Sequence, residues 1–208
     1  MDPQLMMHIT FTNFLGRIEN YTVLINGLMN LRRGVKGARA TEMGITRGSF
    51  LYISKNWHKT RIRHWDNIIE GIDNMVDHML ESVSEDFDGD DEDDGLQYLW
   101  NNNPEWAPVA LQQRQQWNEL WQTVIYNRNV VVEPWVMTNN FNERSALYAQ
   151  LSNTIIVLTQ RAEEDLCQYA CSKMVKLKWK LRDAQDDDTL HAPYVRTCVG
   201  HINYNAVE

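Results

Sequence analysis

The stretch NFNERSALYAQLSNTIIVLTQRAEEDLCQYACSKMVKLKWKLR, residues 140–182, decides the fold. Asn140 with Glu143 three residues later is a capping box, the pattern that opens a helix. Beyond it Leu147, Leu151, Ile155, Leu158, Ala162, Leu166, Tyr169, Lys173, Leu177 and Leu181 recur at steps of three and four. They form a heptad seam whose only polar member is Lys173. Held for about forty residues at 1.5 Å per residue, such a helix would be roughly 60 Å long. A compact domain of this size has a radius of gyration near ~17 Å. The spacing therefore predicts a helix whose end meets a second subunit, or a kink near Lys173 that folds the end back. At that end Met174, Val175, Leu177, Trp179 and Leu181 alternate with Lys173, Lys176, Lys178, Lys180 and Arg182. The first arrangement would set these bases against the acidic run of another copy, a head-to-tail contact that builds rings or filaments.

Working outward, the N-terminal part repeats the pattern. Met7, Phe11, Phe14, Ile18, Tyr21, Ile25 and Leu28 predict a helix from about Gln4 to Leu31, despite the cost of about 1 kcal/mol for Gly16 inside it. Ile68, Ile69, Ile72, Met75, Val76, Met79, Leu80 and Val83 predict a second, from about Asn56 to Val83, with an acidic stripe opposite. Pro108 suits a first helical position, and Trp117, Trp121 and Val124 carry a third helix to about Tyr126. Phe50–Ile53, Val130–Val132 and Tyr194–Val199, rich in β-branched and aromatic residues, read as short extended pieces. The fold class is mainly α: a bundle of about four long helices with at most a small β-ribbon. It is expected as one domain over 1–208, with a basic Gly-rich loop (32–48), an acidic loop (85–95) and a C-terminal tail (183–208).

Composition limits the function. The 208 residues are 43% hydrophobic and 23% charged, ordinary for a globular protein. No apolar run approaches the ~18 residues that mark a membrane span, so no membrane partner is expected. Arg17 and Glu19 interrupt the apolar N-terminal stretch, unlike a secretory signal. Three cysteines, an odd number, argue against a disulfide scaffold and for an intracellular, reducing compartment.

The net charge of −8 hides an asymmetry. Between Arg32 and His64, nine bases face a single acid, Glu42. Gly34, Gly37, Gly44 and Gly48 are interleaved with the first five, and glycine lets a backbone approach a phosphate closely. Neither spacing of the phosphate-binding glycine motifs occurs. Downstream, Tyr52, Trp57, His58, His64 and Trp65 alternate with Lys55, Lys59, Arg61 and Arg63. Charge for phosphates and rings for bases point to RNA or single-stranded DNA, held by Arg32, Arg33, Lys36, Arg39, Arg47, Lys55, Trp57, Lys59, Arg61 and Arg63. The alternative is that these bases pair with the protein's own acids.

Other constellations are weaker. Eight acids crowd Glu85–Asp94, but the position needing a bidentate glutamate in a calcium loop is Asn101. Cys167, Cys171, Cys198 and His201 have the ligand types of a structural zinc site, against the alternative of packed thiols. Glu70 and Asp73 are spaced like half of a magnesium-binding carboxylate set, yet belong to a polar helix stripe. No catalytic signature appears. The expected function is a non-enzymatic, self-assembling nucleic-acid-binding protein that forms a homo-oligomer. Long helices with a basic segment between the first two are also the general plan of helical viral coat and nucleocapsid subunits, an analogy of architecture that assigns no residues. The alternatives are a helical adaptor whose basic segment meets an acidic protein, and a metal-dependent phosphohydrolase.

Overall fold

The computed structural model describes residues 2–48, 52–88, 96–132, 141–165 and 167–204; for 45–48, 52–55, 88, 96–98, 141–144 and 189–204 it gives the backbone alone. Every regular element among them is a helix: α1 Pro3–Gly48, α2 Tyr52–Asp88, α3 Leu96–Asn102, α4 Ala107–Asn129, α5 Phe141–Glu164 and α6 Gln168–Tyr204. No strand occurs among the described residues, and the all-α class stands. Of the extended pieces, Val130–Val132 is irregular, Tyr194–Val199 is helical, and Tyr52–Ile53 opens α2; Phe50 and Leu51 lie outside the described residues.

Helix α1 is the first departure from expectation. The segment 32–48 is helix, not loop, because the apolar seam does not stop at Leu28: Leu31, Val35 and Ala38 are buried in register with it. Gly34 and Gly37 each cost about 1 kcal/mol within a helix, and burial of this seam offsets them. The acidic segment is also helical in part, since α2 runs on through Asp88; 89–95 lie outside the described residues. The expected tail from 183 is the continuation of α6 to Tyr204.

The long C-terminal helix is two helices. The chain breaks at Asp165–Cys167, one turn or more before Lys173, with the Cys167 amide donating to Ala162 O at 2.8 Å. A heptad seam reads the same on both sides of this break, so α5 and α6 present the seam to one core from opposite directions. Met174, Leu177 and Leu181, expected to meet a second subunit, are buried in their own bundle. Val175 and Trp179 remain exposed.

Four helices form the main core. α1 packs on α2 and α5, and α6 on α2 and α5, so the square runs α1–α2–α6–α5. Contacts fix the directions: Tyr148 near the start of α5 touches Ala184 midway along α6 and both meet Arg61 early in α2, while Gly71 further along α2 meets Leu177 nearer the start of α6 and Gly27 of α1 meets Leu158 late in α5. Every neighbouring pair is therefore antiparallel, as in four-helix bundles. Two glycines admit close approach: a Cβ on Gly27 would fall within Leu158 Cδ2, and one on Gly71 would meet Leu177 Cδ2 at 2.9 Å.

α4 lies outside this square, on α1, with Ala110, Trp117 and Val124 at seven-residue intervals as its buried line. Polar contacts pin it. Trp117 Nε1 donates to Leu80 O at 3.2 Å, and Arg128 bridges to Asp77 at 2.7 Å and Asp73 at 3.0 Å. Lys36 Nζ donates to Arg128 O and Val130 O at 2.9 and 2.8 Å, closing the C-terminal end of α4 where carbonyls lack helical partners. No helix is long and apolar enough to cross a membrane among the described residues.

Candidate nucleic-acid interface

Three of the bases expected to meet phosphate, Arg32, Arg39 and Arg61, have met carboxylates of this chain. Arg32, 7% exposed, forks onto Asp73 at 2.8 and 3.0 Å. Arg39 pairs with Asp66 and Arg33 donates to Asn127 Oδ1 at 3.3 Å. Burial, then the neighbouring Arg32 charge, holds Lys36 below its usual pKa. Trp57 is half-buried, while Lys59 and Arg63 are exposed on α2. The side chains of Arg47 and Lys55 lie outside the described residues.

Arg61 is the most telling member, because it is fully buried. Its Nε donates to Glu42 Oε1 at 2.9 Å and its Nη1 to Ala184 O at 3.0 Å. Nη2 donates to the Tyr148 hydroxyl, and Asp188 Oδ1 stands 3.7 Å from Nη1. The rings of Trp57, Trp65 and Tyr148 surround the guanidinium with centroids 5.5, 5.6 and 5.5 Å away, within cation–π range. His58 Nδ1 lies 2.5 Å from the other Glu42 oxygen. Trp57, His58, Arg61 and Trp65 thus belong to an internal network linking α1, α2, α5 and α6. Sequence reasoning missed it because Glu42, the lone acid of a basic window, is the residue around which that network is built.

A different basic surface is left on α6. From Cys167 to Arg182 the chain carries five bases and no acid, and α5 from Ser145 to Gln160 carries no charge. Lys176, Lys178 and Arg182 are exposed, and Trp179 between them is 56% exposed. The Arg182 guanidinium lies over the Trp179 ring at 5.5 Å and approaches Asp186 at 3.7 Å. Lys180 reaches across to Asn67 O on α2 at 2.8 Å, and Lys173 lies over Tyr169 at 5.2 Å. Exposed Ile156, Val157 and Val175 lie on the same hairpin. Exposed charge and an exposed ring occur together on this helix; the acids of α6 follow only from Asp183 onward.

Of the four expected zinc ligands, the side chains of Cys198 and His201 lie outside the described residues. Cys167 is buried and Cys171 half-buried at the start of α6, where burial and the Glu163 charge push the Cys171 thiol up. Cys198 and His201 sit further along the same continuous helix. Twenty-seven residues separate Cys171 from Cys198, about 40 Å along the axis. No group of three or more metal-ligating side chains occurs among the described residues. Beside Cys167, burial and the thiol raise Tyr21 to about 12. Glu70 stays exposed on the outer side of α2 and Asp73 is held by Arg32 and Arg128.

These features define an all-α bundle with a buried polar network and, on α6, a run of bases from Lys173 to Arg182 without an acid between them. No family model, curated protein or solved structure matches the chain.

Proposed function

We propose that this chain is a non-enzymatic, self-assembling helical protein that binds RNA or single-stranded DNA through α6. The observation that carries the reading is the run Lys173–Arg182, five bases without an acid, beside the exposed Trp179. Phosphates take the charge, and an unpaired base takes the ring. Base–aromatic stacking of this kind is tolerant of sequence, so the protein reads strandedness rather than a motif. Lys59 and Arg63 are also exposed, on the neighbouring α2. Arg32, Arg39 and Arg61 support it from within, by holding the helices that carry it.

A salt titration tests this. Each phosphate contact with a single strand contributes about 0.7 to the slope of log K against log salt. Replacing Lys176, Lys178 and Arg182 with alanine should flatten the slope by about 2 while leaving the helical circular dichroism unchanged. Trp179→Ala should weaken binding by about 1–3 kcal/mol at constant slope. An acidic protein partner would respond to the triple variant and ignore the loss of the ring. Unaltered binding in both variants removes α6 from the interface.

A further inference from the structure

Helix α6 twice sets a cation over a ring. Lys173 Nζ lies over Tyr169 at 5.2 Å, and the Arg182 guanidinium over Trp179 at 5.5 Å. The helix lines up what stands between them. Lys173, Lys176, Trp179 and Arg182 follow at steps of three, and residues three apart form a ridge inclined about 45° to the helix axis. Tyr169 lies one turn before Lys173. The row therefore crosses α6 obliquely, from the side that meets α2 outward.

At the α2 end the row meets a further ring. His78, exposed on α2, stacks on Tyr169 with centroids 3.9 Å apart and planes tilted by 33°. The stripe of α2 beside α6 reads His64, Asn67, Gly71, Asn74 and His78, without an acid. Asn67 O accepts from Lys180, and Gly71 lies against Leu177 and Lys180. Three acids of α2 are turned to other helices: Asp66 to Arg39, Asp73 to Arg32 and Asp77 to Arg128. Glu70 and Glu81 are exposed outside the stripe.

Exposed acids bound the row at both ends. Glu163 and Glu164 precede Tyr169, and Asp183 and Asp186 follow Arg182. A polyanion is attracted between them and repelled beyond. From Tyr169 to Arg182 is thirteen residues, about 20 Å along the axis. At the ~3.4 Å between successive phosphates of a stacked strand, that length takes about six nucleotides. Each end offers an exposed ring, Trp179 at one and His78, backed by Tyr169, at the other. Stacking on rings requires bases with open faces, which an unpaired strand has and a duplex interior lacks. The geometry points to a bounded track for about six unpaired nucleotides, crossing α6 from His78 and Tyr169 past Lys173 and Lys176 to Trp179 and Arg182, with His78 as a second base platform. It rests on the nucleic-acid reading above, and adds to it a length and a residue of α2.

Affinities of the full chain for thymidylate strands of three and of eight nucleotides, measured by NMR titration, test it. The long strand covers the track; the short one reaches a single ring. The long strand should bind at least about tenfold tighter. His78→Ala should weaken it at least about fivefold, the loss of one stacked base, and weaken the short strand no more than about twofold. His78→Phe keeps a ring without the imidazole and should restore the long strand's affinity. Trp179→Ala should weaken the long strand as well. If Trp179→Ala weakens it and His78→Ala does not, the track is overturned and the α6 reading stands. If the wild type binds neither strand, both are overturned. Polyglutamate bound as tightly as the long strand, with neither responding to the ring variants, assigns the ridge to an acidic protein and overturns the track.

Discussion

Replacing Arg61 with methionine removes the centre of the buried network while keeping most of the side chain's volume. The guanidinium is fully buried, pairs with a Glu42 that is itself fully buried, and donates to Ala184 O and the Tyr148 hydroxyl. Methionine refills the aliphatic part but leaves the Glu42 carboxylate and the Ala184 carbonyl without this donor. Breaking a buried pair by removing one partner costs about 3–5 kcal/mol, chiefly the penalty of the stranded charge. At about 2–4 °C per kcal/mol for a chain of this length, the midpoint of thermal unfolding should fall by roughly 6–20 °C. Urea unfolding should show a lower midpoint at unchanged m. Glu42→Gln strands Arg61 in the same way, so it should also be costly. The double variant leaves neither charge, and should lose clearly less than the two single losses together, because one interaction has been counted twice. A loss under 1 kcal/mol for Arg61→Met, or strict additivity in the double variant, would refute the claim that the buried network is built around this pair.

Gly27→Ala should destabilise by about 1–3 kcal/mol in chemical unfolding, although alanine favours helix, because the methyl enters the space of Leu158. Lys36→Met leaves Arg128 O and Val130 O without their donor and should cost about 1–3 kcal/mol. Because the folded pKa of Lys36 lies below 10.5, the unfolded chain binds the extra proton between the two values. Stability contributed by this group therefore rises with pH across that window, and Lys36→Met should abolish the rise. Tyr21 acts in the opposite sense: with its folded pKa raised from 10.0 to about 12, its contribution is whole below pH 10 and is lost as pH climbs through 12. Tyr21→Phe should remove that alkaline loss in a series of unfolding curves.

Local periodicity made the helices legible and left their ends obscure. The seams from Met7 to Leu28 and from Ile68 to Val83 located α1 and α2 because each apolar side faces one core throughout. Residues 32–48 misled because glycine and charge signal a loop only when nothing buries the intervening positions, and Val35 and Ala38 are buried. The α5–α6 break at Asp165–Cys167 was invisible because Leu158, Ala162, Tyr169 and Leu177 keep helical spacing through a reversal of direction. The basic window misled for a related reason. Arg32 meets Asp73 forty-one residues away and Arg61 meets Ala184 across 123, and no local spacing encodes such pairings. The bases of α6 were visible from the start; that they share their face with Trp179, while Leu177 and Leu181 turn inward, required the bundle.

The order of the helices also sets an order of events during synthesis. α1 and α2 meet through a short connection and can form as a hairpin early, since contacts of low sequence separation carry a small loop-closure cost. Arg32 finds Asp73, and Arg61 finds Glu42, within that hairpin. Tyr148 and Ala184 emerge from the ribosome some ninety and some 120 residues after Arg61, at about 5–20 residues per second. For several seconds the first hairpin holds these two ion pairs and an apolar side still open to water. Early solubility then falls to the acids of α2, on the side of the helix that the late-arriving α5–α6 hairpin never covers.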